Sequence, residues 1–293
     1  MQKATLIIVI SLMGIFAIKA NAQTAPDAKQ KKQHFYLKAG LGYAFAQSGQ
    51  TGYSGSYQSS TGSSSSSATF DFKTASLSAG FNGTVGAGYM FNDHLGVELD
   101  AHIGIANKKY SYNETSIDSS GPGTPYSSTY NRSVHAQLPV LLIPAIVVQS
   151  GGKANVYARI GLVLPVKNKI IADQETTSYS GVDVRTEEYT TMFTIGYTGA
   201  IGLKYGLSKH VQLWGEISIL SFAPYLKEGI ATKSTVNGVD NLSTLPEQEK
   251  KIEYMFSGTT TSNNLSQNNP DIGATQSMPY SNIGIMMGLS FDL

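Results

Sequence analysis

The chain has 293 residues, with 21 Lys plus Arg against 20 Asp plus Glu, 30 Gly, 17 Tyr and no Cys. Without Cys it is neither a lipoprotein nor a disulfide-stapled domain, and without an acidic or basic tract it offers no footing for nucleic acid. Setting aside Lys3 and Lys19, which lie in the leader, 19 basic side chains face 20 acidic ones.

Residues 1–22 read as a secretory signal peptide. Lys3 precedes an apolar run from Ala4 to Ile18, broken only by Thr5, Ser11 and Gly14, and Ala20-Asn21-Ala22 sets the cut before Gln23. The run is too short for an anchor helix, which needs roughly 20 apolar residues. Residues 23–33 follow as a short periplasmic N-terminal segment, and 34–293 form one domain.

Within that domain no long stretch has helical spacing, whereas strand spacing recurs. Segment 34–47 alternates Phe35, Leu37, Ala39, Leu41, Tyr43 and Phe45 with Tyr36, Lys38, Gly40, Gly42 and Ala44. Segment 76–91 carries Gly80, Gly83, Gly86 and Gly88, which read as small interior residues and points of sharp twist rather than nucleotide contacts. Segment 95–110 sets Leu95, Val97, Leu99, Ala101, Ile103 and Ile105 against Gly96, Glu98, Asp100, His102, Gly104 and Ala106. Segments 131–149, 155–170, 189–206, 210–226 and 279–293 complete the set. Pro139 and Pro144 in the fourth and Pro165 in the fifth lack the donor a ladder uses, so a bulge or a local loss of ladder bonds is expected there.

A water-soluble sandwich and a membrane barrel share such alternation. Length separates them, because most of these segments reach the roughly 9–11 residues that cross a bilayer at a tilt. Connections 92–94, 150–154 and 207–209 are short, and 48–75, 111–130, 171–188 and 227–278 are long. The sequence therefore predicts an all-β fold. It is an eight-stranded antiparallel up-and-down transmembrane β-barrel with short periplasmic turns, long extracellular loops and both termini in the periplasm of an outer-membrane cell.

Aromatic placement agrees. Phe35, Tyr89, Phe91, Tyr205 and Phe291 lie on outward faces near the short turns, and Tyr43, Phe45, Phe81 and Phe193 lie several residues higher. Two such bands match the interfacial girdles of barrels in lipid.

The last segment ends SNIGIMMGLSFDL, where Gly288, Phe291 and Leu293 resemble the C-terminal signal read by the barrel assembly machinery; Met287 stands where that signal has a polar residue, and Leu293 where it often has Phe. GYMFNDHLGVELDA (88–101), AQLPVLLIPAIV (136–147) and VYARIGLVLPV (156–166) join it in resembling the small outer-membrane β-barrels of the Bacteroidetes, the OmpA/OmpX-like and PorT-like group. The resemblance implies architecture and compartment; some members of the group are linked to protein secretion.

An eight-stranded barrel is narrow enough for side chains to fill it. Inward Lys38, Glu98, Asp100, Arg159, Lys204 and Glu216 fall at similar depth and are predicted to pair as a lumen charge network, since an isolated buried charge is expensive. Five His without ligand spacing, and no HExxH or GxSxG, leave no metal, cofactor or catalytic set. Beyond outer-membrane lipid, expected contacts are extracellular glycan or protein at the loops, through Tyr53, Tyr57, Tyr126, Tyr130, Tyr179 and Tyr254. Loop 48–75 contains SSTGSSSSSATF and is expected to be mobile; loop 227–278 carries EQEKK and an Asn-rich tract, with some order at 252–256. The expected function is non-enzymatic, structural or interactive; a small pore or secretion-associated barrel and a hydrolase using Asp100 or His102 are the alternatives.

Overall fold

A computed structural model describes residues 33–47, 55–61, 64–71, 75–107, 109–118, 126–256 and 269–293. The signal peptide and residues 23–32 lie outside these, as do Tyr53 and most of the Asn-rich tract. In chain order the strands are β1 (His34–Ala46), β2 (Gly55–Thr61), β3 (Ser64–Asp71), β4 (Gly80–Met90), β5 (Leu95–Asn107), β6 (Tyr110–Asp118), β7 (Tyr126–Gln149) and β8 (Ala154–Ser178). They continue with β9 (Gly181–Thr191), β10 (Gly196–Gly206), β11 (Val211–Ser221), β12 (Leu226–Val236), β13 (Val239–Asp240), β14 (Lys251–Met255), β15 (Asp271–Ala274) and β16 (Asn282–Asp292), with a one-turn helix α1 (Glu247–Lys250) before β14.

Eight of these strands close a barrel. β1, β4, β5, β7, β8, β10, β11 and β16 each pair antiparallel with their neighbours in this order, and β16 returns to β1 with Leu37 opposite Phe291 and Phe45 opposite Ile283. Closure leaves the barrel no free edge. Alternation then sorts the side chains: Leu37, Leu41, Val85, Leu99, Ile160, Leu203, Ile217 and Met287 stand exposed on the outside, and the polar series of the same strands is buried within. An exposed aliphatic belt around the whole wall is tolerable only against lipid.

The wall does not stop at the barrel. β5, β10 and β11 resume beyond short breaks as β6, β9 and β12, and β7 and β8 run through at 24 and 25 residues. Together with β3, β2, β14 and β15 they make a nine-stranded sheet, ordered β2-β3-β6-β7-β8-β9-β12-β14-β15, whose two end strands do not pair with each other among the described residues. Much of what reads as long loops is thus strand, the Ser-rich stretch included. In sequence, β6 and β9 are polar at most positions of both alternating sets and lack the apolar period that marks the barrel. Predicted segment 189–206 is correspondingly divided, with residues 189–191 ending β9 and Met192–Ile195 forming the break before β10.

At the breaks the chain turns inward. Residues 76–79 and 279–281, read as strand from the sequence, tuck into the barrel mouth, where Leu77 N–H donates to Pro279 O at 2.7 Å and the Ser78 hydroxyl to Tyr280 O. Gly80, with φ of 123°, swings the chain from this inward segment into β4, a conformation that side chains with Cβ rarely adopt.

Candidate functional site

Six charged side chains from five strands meet in the half of the lumen near the short turns. Lys38 Nζ lies 2.6 Å from Glu98 Oε2 and 2.8 Å from Asp100 Oδ2. Arg159 bridges onward, with Nη1 2.9 Å from Asp100 Oδ2 and Nη2 2.5 Å from Glu216 Oε1, while its Nε donates to Glu216 Oε2 at 3.1 Å. Lys204 Nζ stands 3.8 Å from Glu98 Oε1. Each residue is between 1 and 5 % exposed, and three cations face three carboxylates, so the cluster is neutral as a whole. That balance is what makes burial tolerable.

Aromatic residues complete the site. Tyr36 Oη donates to Glu98 Oε1 at 2.5 Å and Tyr157 Oη to Glu216 Oε2 at 2.7 Å. Lys204 Nζ sits between these two rings, 4.7 and 4.8 Å from their centroids, and Lys38 Nζ is 5.6 Å from the Trp214 ring. Sequence reasoning passed over all three, although the signal was present: Tyr36, Tyr157 and Trp214 each precede a network charge by two residues, hence share its face.

Glycines make the room. A Cβ on Gly88 would lie 2.2 Å from Tyr36 Cζ, one on Gly86 2.0 Å from Asp100 Oδ1, and one on Gly40 2.4 Å from Trp214 Cζ2. Gly88→Ala is expected to force Tyr36 off Glu98 and to lower stability by about 1–3 kcal/mol, read as a lower urea midpoint in lipid vesicles; an unchanged midpoint would show that the ring yields freely.

Above the network the lumen changes character. Leu77, Leu141, Val163, Phe222 and Tyr280 fill it with an apolar core, Phe222 and Tyr280 packing edge to face at 5.4 Å. Tyr280 Oη is satisfied by Asn168 Oδ1, and Asn282 Nδ2 donates to Ser78 Oγ at 2.5 Å. Between network and core lies a cavity of about 10 Å³ lined by His102, Arg159, Asn82, Thr198 and Ser218, among others. That is the space of one water molecule. His102 Nε2 is buried there with no hydrogen-bond partner, and no group of His, Asp or Glu that could hold a metal occurs among the described residues.

On the outside, the lower aromatic band is held by Phe35 against Tyr89 at 4.6 Å and Tyr89 against Phe91 at 5.4 Å, with Tyr205 and Phe291 exposed at the same end. The upper band joins Tyr43 to Phe45 at 4.9 Å and to Phe81 at 5.1 Å. Phe193 is exposed, but in the break before β10 rather than on a strand. Tyr225 and Phe256, exposed and packed at 4.9 Å, add an aromatic pair in the long connection between β11 and β16 that the sequence reading did not place among the girdles. At the terminal strand Gly288 faces the backbone of Ala39 and Gly40, Phe291 points outward, and Leu293 N–H donates to Phe35 O at 2.9 Å.

The prolines mark an irregular seam. Between β7 and β8 the register shifts twice around Val140, Leu138 takes φ of 42°, and pairing skips from Leu142 opposite Leu164 to Ala145 opposite Gly161. Pro139 and Pro144 fall in these two interruptions, where missing N–H donors are tolerated.

Of the tyrosines expected at the loops, Tyr179 is exposed, whereas Tyr130 and Tyr254 are half-buried, Tyr130 near Tyr112 and Tyr254 beside Tyr189. The side chains of Tyr57 and Tyr126 lie outside the described residues. Arg132 supports the Tyr189 ring, its Nη2 donating to Tyr189 Oη at 2.9 Å and its guanidinium 5.9 Å from the ring centre.

A closed barrel whose outer face is apolar and whose filled interior holds its buried charges defines an integral membrane β-barrel protein. The family model for the outer membrane protein beta-barrel domain matches residues 9–243, which include seven of the eight barrel strands, and the chain belongs to that family. It is therefore an outer-membrane barrel protein. Among solved structures, the chain is similar to the outer membrane protein OprG from Pseudomonas aeruginosa, at 13% identity and a TM-score of 0.39, over 90% of this chain and 97% of that one. No curated protein sequence matches it.

Proposed function

We propose that the chain is a non-conducting, non-enzymatic outer-membrane scaffold whose loop-end sheet binds a partner outside the cell. The observation that carries this reading is the double closure of the lumen, by the neutral charge network below and by the apolar core around Phe222 and Tyr280 above. A pore needs a continuous wet path, and a hydrolase needs its acid or nucleophile open to substrate; Asp100 is 1% exposed and His102 Nε2 is buried beside it. The wall extended by β6, β9 and β12 gives the loop end a rigid frame.

In this reading residues 1–22 are an export signal removed before Gln23, the termini and short turns face the periplasm, and Gly288, Phe291 and Leu293 serve assembly of the barrel. The four stretches cited above support a place among the Bacteroidetes barrels.

Two measurements test it. Purified protein in planar bilayers is expected to give no conductance steps, and regular steps would overturn the scaffold in favour of a pore. Because the chain has no Cys, Tyr179→Cys introduces a single thiol at a loop-end turn that is 93% exposed. A membrane-impermeant maleimide is expected to label it on intact cells, and labelling only after lysis would reverse the orientation.

A further inference from the structure

The concave side of the extended wall holds a second cavity, of about 320 Å³, above the apolar core. Its size is in the range of small-molecule sites. Tyr189 on β9 and Ala231 on β12 point into this side, as their burial among the core residues shows, and Glu187, Arg185 and Gly229 follow them at strand spacing. Gly229 is required here by close approach, because a Cβ would lie 2.6 Å from Tyr189 Cε1. α1, β14 and the start of β15 close the remaining side with Lys250, Tyr254 and Asp271.

The chemistry of the lining is specific in two respects. Three cations (Arg185, Lys250 and Lys251) and three carboxylates (Glu187, Glu249 and Asp271) line it in equal number; Arg185 Nε lies 2.7 Å from Glu187 Oε1 within the lining, and Lys251 Nζ is held 2.9 Å from Glu228 and Glu253 just outside it. An ionic ligand would gain no net field. A ligand rich in both donors and acceptors would find both, from Gln174 and Gln248 as well as the charged groups, with Tyr254 beside the Tyr189 ring at 6.2 Å supplying an apolar surface. We infer that this cavity binds a neutral carbohydrate of one or two sugar units, either free or as a unit of a surface polysaccharide. The inference rests on the reading of the loop end as the binding end and names its ligand class. The floor of the cavity is the sealed core, so the sugar is held rather than passed through.

The test uses the whole barrel refolded in detergent, with maltose, cellobiose and lactose as free probes and dextran as the polymer, followed by ligand-detected NMR. Saturable binding of at least one neutral probe is expected; free disaccharides bound as well as dextran indicate a free sugar, and dextran alone indicates a chain. Tyr254→Ala is expected to weaken binding about tenfold, whereas Tyr254→Phe, which keeps the ring, stays within about threefold. The heat-dependent gel shift of each variant verifies that the barrel is closed. No saturable binding of any neutral probe, binding only of charged sugars such as galacturonate, or binding indifferent to Tyr254→Ala would overturn the inference. If it falls while Tyr179→Cys is still labelled from outside and the bilayers stay silent, the scaffold reading survives without this ligand.

Discussion

Arg159→Met is expected to destabilise the folded barrel by about 3–5 kcal/mol, because it strands carboxylates that have no route to water. Glu216 keeps only the Tyr157 hydroxyl at 2.7 Å, and Asp100 keeps only Lys38 at 2.8 Å. The neutral set of six becomes one of five with an excess negative charge in a space closed above and below. Arg159→Lys recovers the charge but loses the fork that reaches Asp100 and Glu216 together, so it should fall between Met and the parent. The decisive comparison is the double variant Arg159→Met/Glu216→Gln, which restores neutrality. It should be more stable than the sum of its single losses by about 0.5–3 kcal/mol, the range for residues in one network. Equilibrium unfolding in urea from lipid vesicles measures all four. If Arg159→Met lost less than about 1 kcal/mol, or if the two single losses simply added, the network would be a cluster of independent pairs.

The reason for placing charges there is register. In a barrel whose strands alternate strictly, a slip of one residue would move every inward side chain into lipid. A strand with an apolar interior face would tolerate that slip far better than one carrying Glu98 and Asp100 or Arg159. Charges of opposite sign on β1, β5, β8, β10 and β11 penalise every slipped pairing at once and favour only one mutual alignment. The network is thus less a source of net stability, which well-packed apolar residues supply as readily, than a device that selects one barrel among the shifted alternatives.

How much of this was legible depended on whether a period of two survived in the side chains. The eight barrel strands were readable because lipid demands apolar residues outside, and the six charges because they sat on the opposite face of those same strands at countable distances from short turns. Strands β6, β9 and β12 were not, because with water on their outer side and a partly polar vestibule inside, Tyr110–Asp118 or Gly181–Thr191 has no apolar face to betray it. The inward turns were misread for a different reason. Leu77, Phe222 and Tyr280 continue the composition of a strand, and only the backbone at Gly80 and the bonds from Leu77 to Pro279 show that they leave the wall. The cavity beside Tyr189 joins residues more than 90 positions apart, from Gln174 to Asp271, and depends on how β14 docks on β12, which no local pattern encodes.

The outer face gives the sharpest test of the environment that shaped the sequence. Val85 lies midway between Phe81 of the upper aromatic band and Tyr89 of the lower, is 51% exposed, and pairs across strands with Ala39 and Ala101, so a longer side chain meets no protein. In water Val85→Arg would be a surface substitution with an effect within about 0.5 kcal/mol. In a bilayer it places a guanidinium at the midplane, and the expected loss is about 2–4 kcal/mol, falling to about 0–1 near the interface for Phe35→Arg. The two variants have closely similar exposure to a probe of the bare protein, 51 and 60%. They differ in depth, and Phe35→Arg also gives up the ring contact with Tyr89, which can only enlarge its loss, so a larger loss at Val85 reports lipid directly. Equal small losses would mean that the aliphatic belt does not contact hydrocarbon, and the strands would then have to bury it against another protein surface.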